Sequence, residues 1–93
     1  MIIGTLSITL FLPECHSLKE KRSILKSLVV KTRNKFNAAI AEVDHQDKWQ
    51  KATVGIAVVS TSTSHVYNQL QSIVDFIELE PRIVLGEIVT EIL

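Results

Sequence analysis

A chain of 93 residues, 46% of them apolar, can enclose one two-layer core, and that content excludes a disordered chain. Ten Lys and Arg balance ten Asp and Glu, so the formal net charge is zero and attraction for a polyanion must come from the distribution of charge. A lone Cys15 excludes an internal disulfide and points to a reducing cytoplasm, and the apolar start lacks the basic flank and cleavage site of a signal peptide. No stretch reaches the length of a membrane span.

From Ile2 to Leu12 the chain alternates, with Ile2, Leu6, Ile8, Leu10 and Leu12 on one side and Thr5, Ser7 and Thr9 on the other, which predicts a strand with one face buried. Pro13-Glu14-Cys15-His16 turns the chain, because Pro13 cannot extend a ladder. A helix is predicted from Ser17 to Phe36. Ser17 with Glu20 three residues later forms a capping box, in which Glu20 reaches back to the Ser17 amide. Leu18, Leu25, Leu28, Val29, Thr32 and Phe36 make its buried face, with Ile24 and Arg22 at the margins. Asn37 closes it, as Asn tolerates the left-handed conformation.

Residues 38–44 read as a second strand of unclear phase, since Ile40 and Val43 cannot both point inward without a bulge. A polar loop, His45-Gln46-Asp47-Lys48-Trp49-Gln50-Lys51, holds the only Trp. Residues 53–60 form a third strand with Val54, Ile56 and Val58 in the buried phase. Thr61 to Ser64 offers several N-caps for a second helix whose stripe is Val66, Leu70, Ile73, Val74 and Ile77, stopped by Pro81. A fourth strand over 82–92 turns Ile88 and Ile92 inward. Strand, helix, strand, strand, helix, strand over residues 1–93 is the ferredoxin-like α+β arrangement, a four-stranded antiparallel sheet with both helices on one face. Its other face, carrying Ile3, Thr5, Ser7, Thr9, Phe11, Gly55, Ala57 and Val59, is left bare.

Seven of the ten cations lie between Lys19 and Lys35 against Glu20 alone, so this helix carries +6 and the remainder −6. Lys19, Arg22, Lys26 and Arg33 follow one flank, and Lys31 and Lys35 pair a turn apart. A solvated helix face is the ordinary reading of a charge run, but such a face normally mixes signs. The one-sided run therefore fits equally a ridge that meets successive phosphates, and the two readings stand level. The bare sheet face has only Phe11 to stack a base, which argues against a conventional RNA-recognition motif. Its small side chains suit a second copy of the chain equally well.

In the polar loop, Trp49 reads either as a cap on the core edge or, with His45, Lys48 and Lys51 beside it, as a stacking site. Asp44, His45 and Asp47 lack further ligands at metal-binding spacing, so no metal or cofactor is expected. Cys15 reads as a free surface thiol, since Cys15-His16 has no third orienting residue. The three Gly residues form no phosphate loop, and the turn after the first strand lacks the arginine an acylphosphatase on this fold requires.

Ser17-Leu18-Lys19-Glu20-Lys21-Arg22 and Ala41-Glu42-Val43-Asp44-His45-Gln46-Asp47, with Trp49-Gln50, resemble the YlxP-like proteins, short bacterial proteins of unknown function. The resemblance extends through Phe36-Asn37, Gly55-Ile56-Ala57-Val58-Val59-Ser60, His65-Val66 and Glu91-Ile92-Leu93, whereas Cys15 and Thr61 to Ser64 are individual to this sequence. It implies a ferredoxin-like fold and, from genes that often lie among those of translation initiation and ribosome maturation, a ribosomal or RNA partner. It supplies no catalytic residues. The expectation is a cytoplasmic, non-enzymatic protein that binds RNA or the small ribosomal subunit through Lys19, Lys21, Arg22, Lys26, Arg33 and Lys35, with Lys48, Trp49 and Lys51 extending the surface. The alternative is a homodimer through the sheet face, and a third reading is an enzyme with a pocket near His45 and Asp47 at a subunit contact.

Overall fold

The computed structural model describes residues 1–93 and contains β1 (Ile2–Phe11), α1 (Leu18–Lys35), β2 (Ala39–Asp44), β3 (Lys51–Ser60), α2 (Thr63–Glu78) and β4 (Val84–Ile92). The four strands form one antiparallel sheet in the order β2-β3-β1-β4, a ferredoxin-like α+β fold. No helix is long and apolar enough to cross a membrane.

The central β1–β3 ladder runs from Ile2↔Ser60 to Phe11↔Lys51 without a slip. Because side chains alternate along a strand, this register sends Leu6, Ile8, Leu10, Val54, Ile56 and Val58 toward the helices, where all are buried in one core. The opposite parity leaves Ile3, Thr5, Ser7, Thr9, Phe11, Gly55, Ala57 and Val59 on the open face. In α2 the whole stripe Val66, Leu70, Ile73, Val74 and Ile77 is buried, and of the four hydroxyls before it Ser62 is the cap, its Oγ accepting from the His65 amide at 3.3 Å.

Several local expectations are corrected. The Ser17 Oγ accepts from the Glu20 amide at 3.1 Å, but the Glu20 carboxylate takes the amide of His16, at 3.2 Å, in place of that of Ser17. Asn37 is not left-handed: α1 ends at an extended Phe36 whose N–H bonds Thr32 O, and the short connection runs straight into β2. The one non-glycine residue at positive φ is His45, at 62°. The buried stripe of α1 is Lys21, Ile24, Leu25, Leu28 and Thr32, with Arg22 exposed. Cys15 is buried, joined to the core beneath the β1–α1 turn, and its thiol donates to Ser17 O.

A bulge does interrupt β2, between Glu42 and Asp44, yet it does not bring Val43 inward. Ile40 and Glu42 face the helices, while Val43 lies over Gly55 on the open face, where a Cβ on the glycine would sit 3.1 Å from Val43 Cγ1. In β4, Ile88 stands opposite Ile8 on the helix side but stays 41% exposed at the sheet edge, while Ile92 packs on the core.

Close approach of α2 to β1 depends on Gly4, where an added Cβ would fall 2.2 Å from Val66 Cγ1. Val66 is fully buried, and its branched side chain is short and stiff, so it cannot swing aside cheaply. Gly4→Ala is therefore expected to lower stability by about 1–3 kcal/mol through overpacking, read as a lower urea midpoint at unchanged slope. Adding Val66→Ala should return part of that loss, and a Gly4→Ala protein as stable as the parent would contradict the packing.

Candidate nucleic-acid interface

Helix α1 presents Lys19, Arg22, Lys26, Lys31, Arg33 and Lys35 to solvent, and none of the six forms an ion pair with a carboxylate. Lys19, Arg22, Lys26 and Arg33 fall within one flank at helical spacing. Arg33 bends over the sheet edge to donate to Ile40 O at 3.1 Å. Lys35 takes a different direction, its Nζ lying 5.4 Å from the centroid of the Phe76 ring of α2, itself edge-on to Phe36. The last two cations of the helix thus diverge, one toward β2 and one toward α2. Past α2, Arg82 pairs with Glu80. That hydrogen bond outweighs desolvation and holds the Glu80 carboxyl below its usual range, with a smaller attraction from Lys31.

Lys21 does not belong to this surface. Its side chain is 0% exposed, because position 21 lies on the same helix face as Leu25, Leu28 and Thr32. Its Nζ is 2.8 Å from Glu42 Oε2 and donates to His45 O at 2.7 Å, to Lys51 O at 3.1 Å and to Lys48 O. The three carbonyls take the ammonium's three hydrogens. Glu42 supplies the counter-charge without the alignment of a hydrogen bond. An expected phosphate contact is instead an internal cation that ties α1 to the β2–β3 loop.

That loop is further fixed from both sides. The Asp44 Oδ1 accepts from the His45 amide at 2.7 Å, the Lys48 amide donates back to His45 O, and His45 Nδ1 lies 3.0 Å from Thr53 Oγ1. His is among the residues that tolerate positive φ, so this tight turn is not a serious strain. Asp44 and His45 are used within the turn, and no group of three His, Cys, Asp or Glu side chains gathers anywhere in the chain. Farther along, Gln50 Nε2 donates to Pro13 O and Cys15 O at 3.3 and 3.1 Å, and the Leu12 amide donates to Gln50 O.

Held this way, Trp49 remains 48% exposed rather than capping the core, and it shares a groove with Phe11, Pro13, Lys48, Gln50 and Lys51. The Lys51 Nζ lies 6.0 Å from the Phe11 ring centroid. By the β1–β3 register Phe11 and Lys51 belong to the open face, across the sheet from α1. Lys48, Trp49 and Lys51 therefore form a second surface and do not prolong the helix flank. Phe11 is the member that sequence reasoning left apart from them. The signal for it was the predicted antiparallel pairing of the first and third strands at the centre of the sheet, which brings the end of β1 beside the start of β3.

The rest of the open face is a shallow depression of about 550 Å³ over Thr5, Ser7, Ala39, Ala41, Gly55 and Ala57, bordered by Val43 and Val89.

Architecture and side-chain order together make this a small ferredoxin-like α+β protein. The model of the family described as "Protein of unknown function (DUF503)" matches residues 3–90. The Uncharacterized protein YlxP of Bacillus subtilis (strain 168) is 39% identical over 82 residues, which cover 88% of this chain and 89% of that protein. The chain belongs to this family of unknown function, the one its α1 and β2–β3 segments resemble.

Removing the Lys21 ammonium would leave Glu42 and the carbonyls of His45, Lys48 and Lys51 without their shared partner. Lys21→Met is expected to cost about 3–5 kcal/mol, the usual penalty for breaking a buried pair on one side. Amide exchange at residues 45–51 should accelerate more than exchange in α2. Unchanged protection across that loop would show that Lys21 does not hold it.

Proposed function

We propose that this protein binds RNA by docking the solvent-facing flank of α1 on the phosphate backbone. The observation that supports it is the set Lys19, Arg22, Lys26 and Arg33, exposed along one flank with no carboxylate partner while nine of the ten acids lie outside this helix. At 1.5 Å of rise per residue the four span about 21 Å, long enough to meet several consecutive phosphates. Contacts of this kind fix position and carry little base preference. With a net charge of zero, attraction is a near-field effect that fades beyond a Debye length of about 8–10 Å. A structured RNA, such as that of the small ribosomal subunit, offers dense phosphates within that range. No bond is made or broken in this role.

A second reading, self-association through the open sheet face, is favoured by the exposure there of Val59 at 60%, Val43 at 54% and Val84 at 54%. Apolar side chains gathered on one face are the usual mark of an interface. On that reading the cations of α1 serve solubility alone.

Co-sedimentation with small ribosomal subunits and titration of single-stranded RNA test the first reading. Four phosphate contacts on a single strand predict roughly fifty-fold weaker binding when salt rises from about 50 to about 200 mM. Replacing Lys19, Arg22 and Lys26 by Glu should abolish binding without loss of fold, and RNA affinity indifferent to both salt and these substitutions would refute helix docking. For the second reading, light scattering is expected to give a dimer mass that Val59→Asp returns to monomer. A monomer at high concentration in the parent protein would sink it.

A further inference from the structure

We infer that the groove of Phe11, Trp49, Lys48 and Lys51 is a stacking site for one unpaired nucleobase of single-stranded RNA, with Lys48 and Lys51 meeting the phosphates that flank it. This rests on the RNA-binding reading above and assigns to it a separate place of contact.

Two aromatic rings are left 41% and 48% exposed in the same groove of about 440 Å³, although each would gain from burial. Their exposure is not a matter of a loose loop. The backbone behind Trp49 is held by Lys21 Nζ at Lys48 O and Lys51 O, and by Gln50, whose side chain binds the Pro13 and Cys15 carbonyls and whose own carbonyl accepts from Leu12. A rigid wall with outward-facing rings is a platform whose ordering has been completed before a ligand arrives, which lowers the cost of binding.

The chemistry of the lining selects the ligand. It contains two cations and no carboxylate, so it favours an anionic partner. Planar rings select a planar π-system, and a nucleotide joins the two properties in one unit. In a duplex each base is stacked between its neighbours, which covers the face that the rings must reach, so the base has to come from an unpaired, unstacked segment. With the Lys48 and Lys51 carbonyls already committed to Lys21, few acceptors remain to read a base edge, and the site should tolerate all four bases.

Trp49 is the chain's only tryptophan, so its fluorescence reports this groove alone. A ribotrinucleotide, which offers few phosphates to the helix flank, is the probe. Titrating it should quench Trp49 emission, and a hairpin stem of the same composition should quench far less. Phe11→Leu is expected to weaken trinucleotide binding roughly five- to 150-fold, the range for one lost stacking partner. Lys48→Ala, at an exposed side chain whose carbonyl alone is used in the fold, gives a second variant with unchanged circular dichroism and weaker binding. The Lys19, Arg22 and Lys26 to Glu protein should bind the trinucleotide within twofold of the parent, which separates failure of the helix docking from failure of the groove. No quenching by the trinucleotide, equal quenching by the duplex stem, or a Phe11→Leu protein with parental affinity would each overturn the assignment.

Discussion

The ammonium of Lys21 is the contact on which the two sides of this molecule depend. Taking a lysine out of water costs several kcal/mol, and a buried ion pair seldom adds net stability over a well-packed apolar alternative. Here the charge meets one carboxylate from β2 and three carbonyls from the loop and the start of β3, in an arrangement that an apolar side chain cannot reproduce. Its consequence is positional. The first turns of α1, the bulged end of β2 and the first residue of β3 are held at one point, so the loop between the strands cannot drift while α1 stays on the sheet.

The bulge in β2 is part of the same arrangement. Regular alternation from Ile40 puts Glu42 on the helix side, where it meets Lys21, and Val43 on the open face over Gly55, and the extra residue between Glu42 and Asp44 then sets Asp44 opposite Thr53 at the start of the turn. Without the bulge the parity of β2 would place its final residues differently relative to α1. The left-handed His45 then turns the chain back so that its carbonyl points at the ammonium. A charged residue inside the core and an irregularity in an edge strand, each unfavourable alone, become one consistent device.

These are the features that periodicity reads poorly. β1, β3 and the α2 stripe were legible because apolar alternation and helical spacing decide their burial, and the unbroken β1–β3 ladder then fixed the composition of the open face residue by residue. Hydrophobic patterning counts a lysine as solvent-facing, yet 21, 25, 28 and 32 are spaced as one stripe. The acceptors that make burial tolerable lie 24 to 30 positions later in the chain. Asn37 failed as a left-handed cap for a related reason: the short link to β2 demands an extended chain, and tertiary direction overrides local preference. The aromatic groove was hidden because Phe11 and Trp49 are 38 residues apart in sequence and meet only through strand register and the Gln50 bonds to the β1–α1 turn.

The helix flank and the groove lie on opposite faces of the sheet, which constrains any partner that would use both. A straight strand cannot lie along α1 and enter the groove together, since the two belong to opposite faces of the sheet and the path between them must turn around an edge. At the β2 edge stands Arg33, donating to Ile40 O while also bordering the open-face depression. A polyanion folded tightly enough to bend there would find cations on the helix flank, at the edge and again at Lys51. On the RNA-binding reading, this geometry favours a structured RNA with an unpaired segment over an extended single strand, because only the former brings dense phosphates and a free base to two faces at once.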